Sequence, residues 1–94
     1  MYNIDWEDLI NKENIIIIDI RDKNKYIRNH VFGAINIEAF ELENYPYKYL
    51  KKEEIYYLYC DNGNKSKRVV YNLNTLGYNT VNINGGYYNY LFRK

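Results

Sequence analysis

The centre of the chain reads Ile55-Tyr56-Tyr57-Leu58-Tyr59-Cys60-Asp61-Asn62-Gly63-Asn64-Lys65-Ser66. Five consecutive hydrophobic residues that end at a polar loop are typical of a strand buried on both faces, as strands are in a parallel sheet. The residues after the loop follow helical spacing at Val69, Val70, Leu73 and Leu76. Gly77 then suits the position directly after a helix. The stretch therefore predicts a strand, a loop and a helix, with the cysteine at the carboxyl end of the strand.

Strand-like and helix-like segments alternate along the rest of the chain. The apolar run at residues 15–19 predicts a second buried strand, and shorter strands are expected at residues 2–4, 34–37 and 80–83. Asp5 and Asp22 are N-cap residues for two helices, the first of which carries Trp6, Leu9 and Ile10 on one face. This alternation predicts an α/β fold with a central, mainly parallel sheet of about four to five strands and helices on both faces.

Two segments of the chain are less regular. Residues 40–50 favour a helix or turns, because Pro46 interrupts the pattern. Residues after Gly85-Gly86 form a short aromatic tail, and the glycine pair predicts a tight turn beside the mouth of a site. The charged residues Lys48, Lys51, Lys52, Glu53 and Glu54 are typical of a solvated face.

Length and charge narrow the classes of protein that fit. A chain of 94 residues has room for one core, so we expect a single domain over residues 1–94. A net charge of +1 gives no strong field for nucleic acid or membrane partners. The first five residues lack the basic and apolar segments of a signal peptide, and no apolar run reaches the length of a membrane span. These features predict a soluble cytoplasmic protein.

The single cysteine excludes an intrachain disulfide, and one cysteine with one histidine gives no zinc pattern. Ligands of α/β sheets bind outside the carboxyl ends of the strands, where Cys60 is expected. Backbone N–H groups of the following loop and of the first helical turn form an anion-binding cradle that favours a thiolate. Gly63 keeps side chains out of this cradle, and Lys65 adds a positive charge for an anionic substrate. The alternative is a buried, inert core thiol.

Four segments in order along the chain carry a resemblance. The first two are Ile17-Ile18-Asp19-Ile20-Arg21 and Tyr26 through His30 to Gly33-Ala34-Ile35-Asn36. The last two are Tyr59-Cys60-Asp61-Asn62-Gly63-Asn64-Lys65-Ser66 and Leu73-Asn74-Thr75-Leu76-Gly77-Tyr78-Asn79-Thr80-Val81 with Gly85-Gly86. Together they resemble the rhodanese-like sulfurtransferase family, whose active-site loop is Tyr-Cys-x-x-Gly-x-Arg-Ser. The resemblance implies a rhodanese-like fold.

Some positions depart from the family pattern. Asn29 and Phe32 replace the usual Gly and Pro around His30, and Lys25 stands where an acidic residue often precedes the tyrosine. Tyr90 stands where the family often has a tryptophan. Lys65 replaces the common arginine of the loop, which keeps the charge and loses bidentate binding of an oxyanion.

The resemblance also implies a mechanism and partners. Cys60 takes the sulfane sulfur of thiosulfate or a persulfide donor, and a thiol or cyanide acceptor removes it. No metal or organic cofactor is implied, and a sulfur-relay protein is a further partner that fits. We expect substrate binding by Arg21 and by the loop residues Asp61, Asn62, Gly63, Asn64, Lys65 and Ser66.

Other functions and roles stay open at this point. A non-catalytic binding or regulatory module of the same family is one alternative, and a cysteine-dependent phosphatase or arsenate reductase is another. The phosphatases place an arginine six positions after the cysteine, where this chain has Ser66. Arg21 either faces the substrate or pairs with a carboxylate such as Asp19 or Asp22. The resemblance places His30 in a structural turn, and a direct catalytic role beside Cys60 is the alternative. Asp61 either weakens the binding of an anionic donor or points outward to solvent, and the outward position is expected.

Overall fold

A computed structural model of the chain describes residues 2–92. Its five strands form one parallel sheet in the order β1-β5-β4-β2-β3. The strands are β1 (Asn3–Ile4), β2 (Ile16–Asp19), β3 (Ile35–Asn36), β4 (Ile55–Tyr59) and β5 (Asn79–Ile83). The prediction of an α/β fold with a central parallel sheet is confirmed, and every pairing between strands is parallel.

Five α-helices connect or follow the strands. They are α1 (Trp6–Leu9), α2 (Lys23–Arg28), α3 (Ala39–Asn44), α4 (Asn64–Thr75) and α5 (Gly86–Leu91). A 3₁₀ helix, Pro46–Lys48, follows α3, as expected for a helical segment that a proline interrupts. Within residues 2–92, no helix has the length and apolar character that crossing a membrane requires.

The central strand β4 separates two hydrophobic cores. Leu58 and Cys60 face the core that is covered by α3 and α4, whereas Tyr59 faces the second core on the opposite side of the sheet. This alternation follows from the two-residue period of a strand. Burial on both faces explains why residues 56–59 are hydrophobic, whereas Ile55 at the amino end of β4 is exposed. It leaves the carboxyl edge of β4 as the place where polar groups gather.

Two local expectations differ from the structure. Asp5 occupies the N-cap position of α1, but its carboxylate accepts a hydrogen bond from the Asn84 side chain, 2.7 Å away, instead of capping the helix. Ile10 lies beyond the end of α1 and is 57% exposed, so it is not part of the buried face that Trp6 and Leu9 form. Asp22, in contrast, caps α2 through a hydrogen bond from the Lys25 amide.

The aromatic tail is a helix that the sequence pattern did not predict. Helix α5 begins directly after the turn at Gly85 and is held by tertiary contacts. The indole N–H of Trp6 donates to the Gly86 carbonyl at 2.9 Å, and the ring of Tyr90 packs against the same indole. These contacts stabilise a six-residue helix that is too short to be stable alone.

Candidate active site

Cys60 lies directly after β4, where its sulfur is surrounded by hydrogen-bond donors. The amides of Gly63 and Ser66 donate to Sγ at 3.2 and 3.3 Å, and the Ser66 hydroxyl lies 3.3 Å from the same atom. The residue is only 3% exposed, so these donors act with little competition from water. N–H groups that converge on sulfur stabilise a negative charge there, so the predicted cradle is present.

The cradle depends on the geometry of the loop between β4 and α4. Gly63 adopts a left-handed conformation with φ 95° at the N-cap of α4, and this turns its amide toward the sulfur. Its Cα also packs closely on the Gly85 backbone, since an added Cβ would lie 3.0 Å from the Gly85 amide nitrogen. The Asn62 side chain accepts from the Asn64 amide at 2.9 Å, which fixes the outer part of the loop.

Helix α5 holds the start of the same loop. The amides of Tyr87 and Tyr88 donate to the carbonyls of Cys60 and Asp61 at 2.8 and 3.0 Å. Gly86 allows this close approach, because an added Cβ would overlap the Cys60 carbonyl oxygen. The predicted tight turn at Gly85-Gly86 therefore lies beside the nucleophile. The tyrosines that follow this turn hold the cysteine loop through their backbone amides.

Arg21 and Asp19 form a buried ion pair behind the cysteine loop. Arg21 Nε lies 3.1 Å from both carboxylate oxygens of Asp19, and Nη2 lies 2.8 Å from one of them. Burial opposes the guanidinium charge, but the hydrogen bond and charge of Asp19 outweigh it and raise the pKa of Arg21. Of the two roles considered for Arg21, pairing with Asp19 is present, and the side chain also lines the cleft described below.

The Tyr59 hydroxyl completes this buried network. It donates to Asp19 at 2.6 Å and accepts from the Val31 amide at 3.1 Å. Burial and the hydrogen bond to Asp19 raise the pKa of Tyr59 far above its usual range, so the phenol stays protonated as a donor. The network ties β2 and β4 to the segment before β3, and it thereby fixes the carboxyl edge of the sheet on which Cys60 lies.

Removing the Tyr59 hydroxyl tests the importance of this network. We expect Tyr59→Phe to lower the free energy of unfolding by about 1–3 kcal/mol, because it leaves the Val31 amide buried without its acceptor. Urea denaturation measures the change. Tyr57→Phe is the matched control, since it deletes a hydroxyl from the same strand outside this network, and we expect its effect to stay within about 0.5 kcal/mol. Equal effects of both variants would contradict the structural role of the Tyr59 hydroxyl.

A cleft of about 350 Å³ opens above Cys60. It is lined by Arg21, Asp22, Lys25, Cys60, Asp61, Asn62, Asn64 and Lys65. The structure thus brings the predicted cysteine, Arg21 and four of the loop residues to one cavity, while Gly63 and Ser66 contact the sulfur from below. Lys65 is exposed and forms no ion pair within residues 2–92.

Asp61 and Lys25 form an ion pair across this cleft. Lys25 Nζ lies 2.6 Å from Asp61 Oδ2, and Arg21 Nη1 lies 3.8 Å from Asp61 Oδ1. The expectation that Asp61 points outward to solvent is therefore wrong. Sequence reasoning also missed Lys25 as a residue of the site. The sequence did contain one signal for this role: Lys25 stands where the rhodanese-like pattern often has an acidic residue.

The side chains of His30 and Arg68 have their partners outside the cysteine loop. His30 stacks on Tyr26 with ring centroids 3.7 Å apart, and its Nδ1 is 2.7 Å from the Tyr26 carbonyl oxygen, which agrees with a structural turn. Arg68 pairs with Glu43 of α3 at 2.8 Å, so it does not supply the guanidinium that a phosphatase loop needs. Neither residue lines the cleft.

Comparison with known proteins supports the same interpretation of the fold. The sequence model of the rhodanese-like domain matches residues 5–92 of the chain. The chain belongs to the rhodanese-like domain family. It is 33% identical to the thiosulfate sulfurtransferase GlpE of Coxiella burnetii over 76 residues. This aligned region covers 81% of this chain and 69% of the relative.

Solved structures of rhodanese-like proteins superimpose closely on this one. A rhodanese-related protein from Thermoplasma volcanium has a TM-score of 0.88 at 28% identity, covering 98% of this chain and 92% of that one. A rhodanese-like domain protein from Staphylococcus aureus has a TM-score of 0.84 at 27% identity, covering 94% and 89% of the two chains. The rhodanese-like fold expected from the sequence is therefore confirmed.

Proposed function

We propose that this rhodanese-like protein is a sulfurtransferase that carries a sulfane sulfur on Cys60. The observation that carries the proposal is the sulfur of Cys60, which lines the cleft and accepts hydrogen bonds from the Gly63 and Ser66 amides. A thiolate in such a site is a nucleophile that needs no separate base. The naming of the Coxiella burnetii relative as a thiosulfate sulfurtransferase supports the same reaction class.

The first half-reaction loads the sulfur. The Cys60 thiolate attacks the outer sulfur of thiosulfate, a new S–S bond forms, the S–S bond of the donor breaks, and sulfite leaves with the electron pair. With a persulfide donor, the departing group is the corresponding thiolate. The product is a Cys60 persulfide with the negative charge on its terminal sulfur, which is bonded to the Sγ atom that the Gly63 and Ser66 amides contact.

The second half-reaction returns the enzyme to its starting state. A thiolate or cyanide acceptor attacks the terminal sulfur, the Cys60 S–S bond breaks, and the Cys60 thiolate leaves into the same cradle. Donor and acceptor use one cleft in turn, so the kinetics are expected to be ping-pong. A small thiol or a sulfur-relay protein in the cytoplasm suits the acceptor role in this proposal, and the sequence of steps uses no metal or organic cofactor.

The proposal is tested by mass spectrometry of the protein after exposure to thiosulfate, polysulfide or an alkyl persulfide. One added sulfur atom on the wild type, lost again after a thiol acceptor is supplied, is the expected result. No adduct with any of the three donors would favour the alternative of a non-catalytic binding or regulatory module.

Lys65 is expected to assist anionic donors through its unpaired charge. We expect Lys65→Ala to raise the KM for thiosulfate about two- to fivefold and to change the KM for an uncharged persulfide less, because one exposed charge is partly screened. Lys67→Ala is the matched control: it removes an exposed lysine of the same helix that does not line the cleft. An equal rise for both donors would contradict a role for the Lys65 charge.

A further inference from the structure

We propose that the ion pair between Lys25 and Asp61 makes this site select sulfur donors of low net charge over small dianions such as thiosulfate. This inference rests on the proposed sulfur transfer at Cys60 and specifies the donor class. Asp61 is then a specificity-determining residue, and it acts as a built-in anion that occupies the positive groups of the cleft.

The contacts of the cationic groups carry the proposal. Lys25 Nζ is bound to Asp61 at 2.6 Å, so binding a dianion at Lys25 requires this contact to break or to be shared. Arg21 directs Nε and Nη2 at Asp19, while its Nη1 lies 3.8 Å from Asp61. The Asp61 carboxylate thus lies between two of the three cations that line the cleft, and Lys65 is the third.

The position of Asp61 is fixed by the backbone. It follows Cys60 directly, and its carbonyl accepts the Tyr88 amide at 3.0 Å, while the Cys60 carbonyl accepts the Tyr87 amide at 2.8 Å. The carboxylate therefore stays close to the nucleophile and costs little entropy to hold there. A bound external anion has to compete with this tethered carboxylate.

The charge of the cleft agrees with this competition. Its lining carries three cations (Arg21, Lys25 and Lys65) and two carboxylates (Asp22 and Asp61), so the balance is one positive charge. A dianion placed there remains undercompensated and is repelled by Asp61. The hydrogen bond and charge of Asp61 also raise the pKa of Lys25, so the lysine stays charged through the neutral pH range.

A donor of low charge avoids this cost. With an alkyl hydropersulfide, the Cys60 thiolate bonds to the terminal sulfur, the donor S–S bond breaks, and the alkyl thiolate leaves with the electron pair while the proton stays on the transferred sulfur. No dianion enters the cleft at any stage of this step. The ion pair between Lys25 and Asp61 remains intact throughout it.

The test compares the rate of persulfide formation at Cys60 with thiosulfate and with an uncharged alkyl hydropersulfide, measured by quenched mass spectrometry. We expect Asp61→Asn to raise the ratio of the thiosulfate rate to the alkyl persulfide rate about three- to tenfold at low ionic strength, and less in high salt. Lys25→Gln leaves Asp61 without its lysine partner, so we expect the ratio to fall.

Glu54→Gln is the matched control, because it removes one negative charge at the amino end of β4, on the sheet edge opposite Cys60. We expect the ratio of rates in this variant to equal that of the wild type. An unchanged or lower ratio in Asp61→Asn, or an equal increase in Glu54→Gln, would overturn the inference. Absence of a Cys60 persulfide with both donors in the wild type would instead contradict the proposed function, so the two failures are distinguishable.

Discussion

Cys60→Ser is expected to abolish the sulfur adduct and to lower the turnover of thiosulfate by at least about 10³-fold. The residue is the only cysteine of the chain, and a serine hydroxyl does not ionise near neutral pH, so no nucleophile of comparable strength remains in the cradle. The measurement combines the intact mass after donor treatment with the rate of sulfite release from thiosulfate.

The control for this experiment is the integrity of the fold. Serine is similar in shape to cysteine, and it retains hydrogen bonding with the Gly63 and Ser66 amides, so the variant should keep the circular dichroism spectrum of the wild type. A sulfur adduct that persists in the serine variant would show that the reaction does not use Cys60. A correctly folded wild type that takes up no sulfur would leave the binding module as the better hypothesis.

Gly86→Ala is expected to lower the free energy of unfolding by about 3–5 kcal/mol. Gly86 has φ +58°, and an added Cβ would overlap the Cys60 carbonyl oxygen and lie 2.8 Å from the Asp61 carbonyl oxygen. Both neighbours are backbone atoms of the cysteine loop, so the loop has to move away from α5. We therefore expect the variant to lose stability and also to react faster with iodoacetamide at Cys60, because the thiol becomes more exposed than in the wild type.

Gly33→Ala separates conformational strain from steric overlap. Gly33 also has a positive φ of +84°, but no atom lies within 4 Å of the Cβ that alanine would add. Only the cost of the left-handed conformation applies there, and we expect about 1–2 kcal/mol. Urea denaturation of both variants measures the difference. Equal losses of stability would show that the close contact between Gly86 and the cysteine loop is unimportant.

Much of the fold follows from patterns that are local in the chain. The five hydrophobic residues before Cys60 specify a strand buried on both faces, and Asp22 and Gly77 mark helix ends through contacts within a few residues. The cradle could also be predicted from a local pattern, because Cys60 stands at the end of a strand and directly before a loop that contains a glycine. Hydrophobic period and turn chemistry are properties of neighbouring residues, so a single sequence contains them.

The parts that sequence patterns missed involve residues far apart in the chain. Asp61 and Lys25 are separated by 36 positions, and no local pattern shows that a loop carboxylate meets a lysine of α2. Asp5 is an N-cap by type, yet its carboxylate bonds to Asn84, 79 positions away. The Asp61 carboxylate, expected to face solvent, instead binds Lys25. The Asp5 carboxylate, expected to accept from an amide of α1, instead accepts from Asn84.

The order of residues in the chain thus specifies the alternating elements, the strand that precedes Cys60 and the family to which the protein belongs. Folding in three dimensions settles which charges face the nucleophile and which backbone holds its loop. Helix α5 is an example of an element that depends on tertiary contacts. A six-residue helix lacks enough internal hydrogen bonds to be stable alone, and α5 forms against Trp6 and the carbonyls of the cysteine loop. Local periodicity is encoded by adjacent residues, whereas electrostatic pairing at a site depends on distances that the packed sheet and helices create.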